Sequence, residues 1–388
     1  MISRPAVSAG IADSVPWYIA TATTVTGTTV TLTSPLTGQT LNVPCGRGSN
    51  APSAGQTVLV IGNGDGSNDI VIGWKGAPPA PTGPTNVYVA NYFSGSVSKV
   101  ATATMTQTVT PLAVIGYPQS IVADPTGTYL YVTSRGGSGY VTKIDVATFT
   151  VAGQLTLGFQ PAAIAIDPTN THLYVANATS NAIEQIDVAT FSMVGSLAIA
   201  DTMSDVVVDP SGTYVYACGF TTLTKIDAAT FTAVGSPLTM PANLYAIAID
   251  STGTYGYGAS TGGQVTKVDL AAMGILNTLT SGFLANLTDI VIDGTDSYVY
   301  VVNHVNSLNG ATVEEIDLAT WAVSSSAYTD GNNPTDLGID RATGHLYVTN
   351  EAGLDNSNNG PLAQFKIPGL TARVTDLVGQ HADGIALA

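Results

Sequence analysis

Basic side chains are scarce in this chain: 11 Lys and Arg stand against 27 Asp and Glu, and charged residues make up only 10% of 388 positions. The resulting net charge of −16 opposes binding to DNA, RNA or anionic lipid, because contact with phosphates needs cations that displace counterions. Cysteine is nearly absent. Cys45 and Cys218 fall in separate expected domains, and no CxxC, CxxCH or Cys/His cluster exists to hold zinc or c-type haem. No cofactor is expected. Glutamate is confined to Glu184, Glu314, Glu315 and Glu351, and histidine to His172, His304, His345 and His381. No Ser/His/Asp or HExxH pattern links them. No apolar run approaches the ~20 residues that span a bilayer, so membrane insertion is not expected. From Met1 to Ala22 the chain is interrupted by Ser3, Pro5, Ser8, Gly10, Asp13 and Ser14, leaving no unbroken apolar stretch for a secretory leader.

What is present is repetition. A short apolar run, an Asp, a turn and a Tyr-rich strand recur around Asp124, Asp167, Asp209, Asp250, Asp293 and Asp340, at spacings of 43, 42, 41, 43 and 47 residues. A period in the low forties, rich in β-branched and aromatic residues and Gly/Asn/Pro turns, predicts one four-stranded blade per repeat. A lone blade cannot bury both faces, so the blades must stack radially into an all-β propeller. In the second blade the strand signals are Ser120 to Ala123, Tyr129 to Thr133, Tyr140 to Ile144 and Phe149 to Leu157. The turn Asp124-Pro125-Thr126-Gly127 returns as Asp167-Pro168-Thr169-Asn170 and Asp209-Pro210-Ser211-Gly212. Pro presets φ, Asp at the first position bonds backbone N–H groups, and Gly or Asn tolerates positive φ. A second turn, Asp145 to Phe149, repeats from Asp187, Asp227, Asp269 and Asp317. Acids repeated at turns are expected to cap backbone rather than to carry chemistry.

The ends complete the count. Asn86 to Asn91 with Ser96 to Val100 reads as a blade lacking its first strand, and Asp383 to Ala388 reads as that strand. The C-terminal strand is therefore expected to close the first blade, giving seven. Gly76 to Asn86 holds four prolines and predicts a stiff linker. The organisation expected is 1–75 as one module, 76–86 as linker and 87–388 as propeller.

Tyr88-Val89-Ala90-Asn91, Tyr174-Val175-Ala176-Asn177, Tyr300-Val301-Val302-Asn303 and Tyr347-Val348-Thr349-Asn350 occupy equivalent positions. With the Ile-Asp-Pro and Lys-Ile-Asp-x-Ala-Thr elements, they make residues 86–388 resemble the YVTN family of seven-bladed β-propellers. Tyr257-Gly258-Ala259-Ser260, Tyr216-Ala217-Cys218-Gly219 and Ile367-Pro368 depart from the pattern. The family includes surface-layer and secreted proteins, with lactonases and redox-enzyme subunits among related propellers, so the resemblance implies a fold more than an activity. In residues 1–75, five short β runs predict a small OB-like β-barrel. Gly55 to Ile61 and Asp69 to Trp74 are similar to the closing hairpin of barrels in tailed-phage tail and baseplate proteins. Only Arg47 and Lys75 supply cations in residues 15–75, which excludes a single-stranded-DNA groove.

Longer, variable loops gather on one propeller face, where binding tends to be placed. The candidates there are Tyr92, Tyr117, Arg135, Phe159, Phe220, Phe283, His304, Asn309, Tyr328 and His381, an aromatic and amide set suited to carbohydrate. Asp355, Asn356 and Asn358 are weak candidates for a Ca²⁺ loop. His172 and His345 share one repeat position and are expected to be structural. The reading is a non-enzymatic virion protein of a phage tail, baseplate or other exterior. Its barrel would attach to other virion structural proteins, in a homo-oligomeric assembly, and its propeller would bind a host-surface glycan or protein. The rival reading is a secreted or cell-surface bacterial YVTN propeller, with lactone or sugar hydrolysis as its activity.

Overall fold

The computed structural model describes residues 85–280, 286–303, 312–329, 331–353, 359–380 and 382–388, together with five strands of the N-terminal region. By its contacts the chain divides into Met1–Pro81 and Thr82–Ala388. The first unit holds one antiparallel sheet in the order Thr40–Pro44, Thr29–Thr33, Trp17–Thr26, Thr57–Ile61, Ile70–Lys75. Among the described residues the two outer strands do not pair with each other, so the structure supplies the sheet and not the closure of the expected barrel.

The second unit is a seven-bladed β-propeller, each blade an antiparallel sheet and six of the seven in simple sequence order. The first strands of successive blades, beginning with Tyr117–Ala123, Pro161–Ile166 and Met203–Val208, touch one another in a closed circuit around the axis. The strand Ala382–Leu387 pairs with Asn86–Asn91 and closes the first blade, as the split repeat predicts. In blades one and four the outermost strand is broken into two short pieces, Thr106–Gln107 with Leu112–Ala113 and Thr232–Ala233 with Leu238–Thr239.

Local chemistry explains the blades. The turn aspartates are buried and accept backbone N–H groups: Thr128 N lies 2.7 Å from Asp124, Thr171 N 2.9 Å from Asp167 and Ser297 N 2.8 Å from Asp293. The second set does likewise, with Thr148 N 2.7 Å from Asp145 and Thr190 N 2.7 Å from Asp187. Both sets are caps. His172 and His345 sit beside the same turns, His172 Nδ1 3.5 Å from Asp167 and His345 Nδ1 2.8 Å from the Thr343 hydroxyl.

The residue after each second turn adopts left-handed backbone: Phe149, Phe191, Phe231, Met273 and Trp321 have φ between 49° and 53°. That conformation costs an L-residue energy, and packing offsets it. The side chain reaches back onto the buried Tyr of the preceding blade, Phe149 on Tyr88 at 5.9 Å, Phe191 on Tyr131 at 6.0 Å and Phe231 on Tyr174 at 6.1 Å between ring centroids. Lys143 Nζ lies 4.0 Å from the Tyr129 ring, 5.7 Å from Tyr131 and 5.9 Å from Phe191, so the charge is held among three aromatic rings. Where blades three and seven lack this Lys, Gln185 and Gln364 donate to the Tyr174 and Tyr347 hydroxyls instead.

Candidate functional site

Every first strand carries a register irregularity near its start, from Pro118/Ser120 in blade two through Leu287/Asp289 in blade six to Ala382/Gly384 in blade one. A bulge turns an extra side chain off the pleat. Here the bulge positions line a cavity of about 330 Å³ on the axis: Gln119 and Ser120, Ala162 and Ala163, Ser204 and Asp205, Tyr245 and Ala246, Thr288 and Asp289, Thr335 and Asp336, closed at the rim by Tyr92 and Arg135.

Three carboxylates share this space. Asp205 accepts from its neighbour Val206 N at 2.8 Å and from Ile247 N of the next blade at 3.1 Å. Asp289 reaches Leu337 N at 2.7 Å, and Asp336 reaches Ile385 N at 2.8 Å. Each acid thus staples its blade forward to the next. Burial is the main force on their protonation: it pushes Asp205 up to about 7. It also raises Asp289 well above the usual carboxylate range, helped by the charge of Asp336 and by a hydrogen bond between the two carboxyls. That bond requires a shared proton. Among the described residues, no group of three or more His, Cys, Asp or Glu is arranged to hold a metal ion.

At the mouth Tyr92 and Tyr117 stack, centroids 5.1 Å apart at 23°, and Phe93 meets Tyr92 edge-on at 5.2 Å. Phe93 is 58% and Tyr117 46% exposed. Tyr117 pairs in register with Arg135, whose Nε donates to the Pro161 carbonyl at 3.1 Å. Gly136, at φ 97°, makes room for the Tyr117 ring, which lies 3.1 Å from where a Cβ would stand. Three of the sequence candidates therefore converge: Tyr92, Tyr117 and Arg135. Phe220 and Tyr328 are exposed but do not line the cavity. Phe159 is half-buried where an exposed loop aromatic is expected, packing against the Tyr131, Val141 and Leu157 cluster between blades two and three. Phe283, His304, Asn309, His381, Asp355, Asn356 and Asn358 lie outside the described residues. The cavity's acids and Tyr245 escape a loop-based search because they sit inside strands. The signal that finds the acids is the repeat column four residues before the turn Asp: Ser120, Ala163, Asp205, Ala246, Asp289, Asp336.

Two other buried acids stand apart from the axis. Glu184 and Glu314 occupy one position in the third strands of blades three and six, each about 2% exposed with its Oε2 atom unpartnered. Burial raises both above the usual range, against the lowering effect of neighbouring hydroxyl and amide groups. A folded-state value above the unfolded one gives stability that is full below the unfolded value, about 4.3, and lost as pH rises through the folded one. The double variant Glu184→Gln, Glu314→Gln is therefore expected to melt about 2–4 °C higher than the parent at pH 8, the response to about 1 kcal/mol in domains of a few hundred residues. At pH 4 the two should coincide. Equal melting at both pH values would show that these carboxyls do not titrate with folding.

No protein-family model matches the chain, and no curated protein matches it. Solved structures do. A protein titled Kuenenia stuttgartiensis Hydrazine Synthase aligns over 63% of this chain and 76% of its own at 21% identity, with a TM-score of 0.55. A functionally unknown protein from Desulfotomaculum acetoxidans DSM 771 aligns over 78% of this chain and 99% of its own at 13% identity, with a TM-score of 0.65. At these identities the likeness establishes the propeller fold and nothing finer. It also corrects the expectation of a non-enzymatic protein: a chain of this fold occurs in an enzyme, so architecture and missing motifs do not exclude catalysis.

Proposed function

We propose that the face bearing Tyr92, Tyr117 and Arg135 binds a saccharide, one ring of which enters the axial cavity. The observation that carries this reading is the stacked aromatic pair, its outer member Tyr117 exposed, at the mouth of a cavity of about 330 Å³ that mixes carboxyl and hydroxyl groups with apolar surface. Aromatic faces take the C–H side of a sugar ring while carboxylates, Ser204, Thr288 and Thr335 bond its hydroxyls. The wider assignment is a YVTN-type propeller displayed on a virion exterior to bind a host-surface glycan, with residues 1–75, as an OB-like barrel, attaching it to neighbouring virion proteins. Support for that placement is the two-unit layout across a Pro-rich segment and the low-charge, hydroxyl-rich composition. A glycan array followed by calorimetry on the hits tests the binding. Tyr117→Ala should weaken a hit about tenfold, the loss of about 1.4 kcal/mol, with melting unchanged. Undiminished affinity in that variant, or an array without hits, would overturn the reading.

One observation favours a second reading, a lactone or sugar hydrolase. Asp205 faces the same cavity and holds its proton up to about 7, as a general acid must. Release of free sugar or acid from a bound ligand, lost in Asp205→Asn, would select it.

A further inference from the structure

We propose that the axial cavity selects a ligand bearing a protonated primary amine, so that the saccharide it takes is an amino sugar with a free amine. This deepens the saccharide reading and rests on it.

The cavity is lopsided in hydrogen-bonding character. With its acids ionised, acceptors dominate the wall: the carboxyls of Asp205 from blade four, Asp289 from blade six and Asp336 from blade seven. Gln119 of blade two adds a fourth acceptor, and its Oε1 atom is buried without any hydrogen-bond partner. That orphaned oxygen is independent of the acids. Leaving it unsatisfied costs about 1–3 kcal/mol, and a donor supplied by a ligand would recover part of that. The donors already present are largely committed. Arg135 Nε is taken by the Pro161 carbonyl, the Ser204 hydroxyl by the Cys218 and Leu244 carbonyls, and the Thr288 hydroxyl by the Pro334 carbonyl.

A sugar hydroxyl brings one donor and two lone pairs, which adds acceptors to a wall already rich in them. An ammonium brings three donors, no acceptor and a positive charge. Ala162, Ala163 and Ala246 leave space beside the acids, and the Tyr92 and Tyr245 rings supply apolar and cation-attracting faces. The ionisable groups facing the cavity are Asp205, Asp289, Asp336, Arg135, Tyr92 and Tyr245; blade three offers only alanines. Arg135 is the single cation among them. An arriving ammonium stabilises the ionised carboxylates, so binding expels a proton from the axial acids, and affinity rises with pH until the amine itself deprotonates.

The test is calorimetry on the full chain with glucosamine and galactosamine, their N-acetyl forms, the parent glucose and galactose, and putrescine. Titrations at pH 6 and 7.5, in two buffers of different ionisation enthalpy, count the protons released. The expected result is binding of the free amino sugars at least tenfold tighter than of N-acetylated or neutral ones, with proton release. Asp205→Asn should lose that preference. Because Asp205 also holds Ile247 N, Gln119→Met serves as a second variant; its Oε1 has no partner in the protein, and the substitution should weaken amine binding severalfold while melting no lower than the parent. Neutral or N-acetylated sugars binding as tightly as the amines would overturn the inference and leave the saccharide reading standing. Putrescine binding as tightly as the amino sugars, with neutral sugars silent, would keep the amine site and overturn the saccharide. Binding by none would overturn both.

Discussion

Removing residues 382–388 is expected to abolish the propeller's cooperative unfolding transition. In the intact ring Leu387, Ala386, Ile385 and Gly384 pair with Val87, Tyr88, Val89 and Ala90. Ile385 and Leu387 pack with Tyr347 and Leu362 of blade seven, while Ala386 joins Ile121 and Val132 of blade two. One strand thus belongs to three blades at once. Its loss uncovers two large aliphatic contacts worth about 2 kcal/mol each. It also strands a row of backbone acceptors and donors at about 1 kcal/mol apiece, and Asp336 loses the Ile385 N–H it holds at 2.8 Å. The sum exceeds about 5 kcal/mol, the lower end of a whole domain's stability. Differential scanning calorimetry of the truncated chain checks this. A single sharp transition within 5 °C or so of the parent would show that the ring holds without its closing strand.

The second large effect runs against intuition about size. Phe191, at φ 50°, lies over the Tyr131 ring, and its own ring fills the slot left by Gly153, 3.3 Å from where a Cβ would stand. Phe191→Ala should cost about 3 kcal/mol, in the range for a large aromatic truncated against a core. Phe191→Gly removes one carbon more, yet should cost about 1 kcal/mol less than the alanine variant, because glycine accepts the left-handed backbone that every other residue resists. Urea unfolding of the pair, compared through their midpoints, decides the matter. Alanine proving the more stable of the two would mean the backbone relaxes away from positive φ once the ring is gone.

The same residues explain what the sequence made legible. Phe191 recurs as Phe149, Phe231 and Trp321 because the turn before it is local: an Asp, an aliphatic residue, an Ala, a Thr whose N–H the Asp caps. Local chemistry repeats in the sequence whenever it repeats in space, so blades, turn acids and the split first blade are readable without coordinates. The cavity is different. Asp205, Asp289 and Asp336 share a column with Ser120, Ala163 and Ala246, and ordinary strand alternation gives no hint that a bulge turns this column toward the axis. Tyr92, Tyr117 and Arg135 were accessible to sequence reasoning because they flank loops at strand ends. Phe159 misleads on the same logic: it sits in such a loop, yet the apolar seam between two blades captures it.

Blades are joined at two radii, and the two joints point in opposite directions. Midway out, the left-handed aromatics of blades two, three, four and six lean back on the blade before, as Phe231 does on Tyr174. At the axis the carboxylates of blades four, six and seven reach to the blade ahead. Sliding one blade past its neighbour in either direction would strain one set, so the ring resists shear as a pair of opposed hooks does, whichever way the load is applied. Force delivered to the mouth by a tethered ligand would therefore spread around the circumference, and the blades would share it rather than peel away singly.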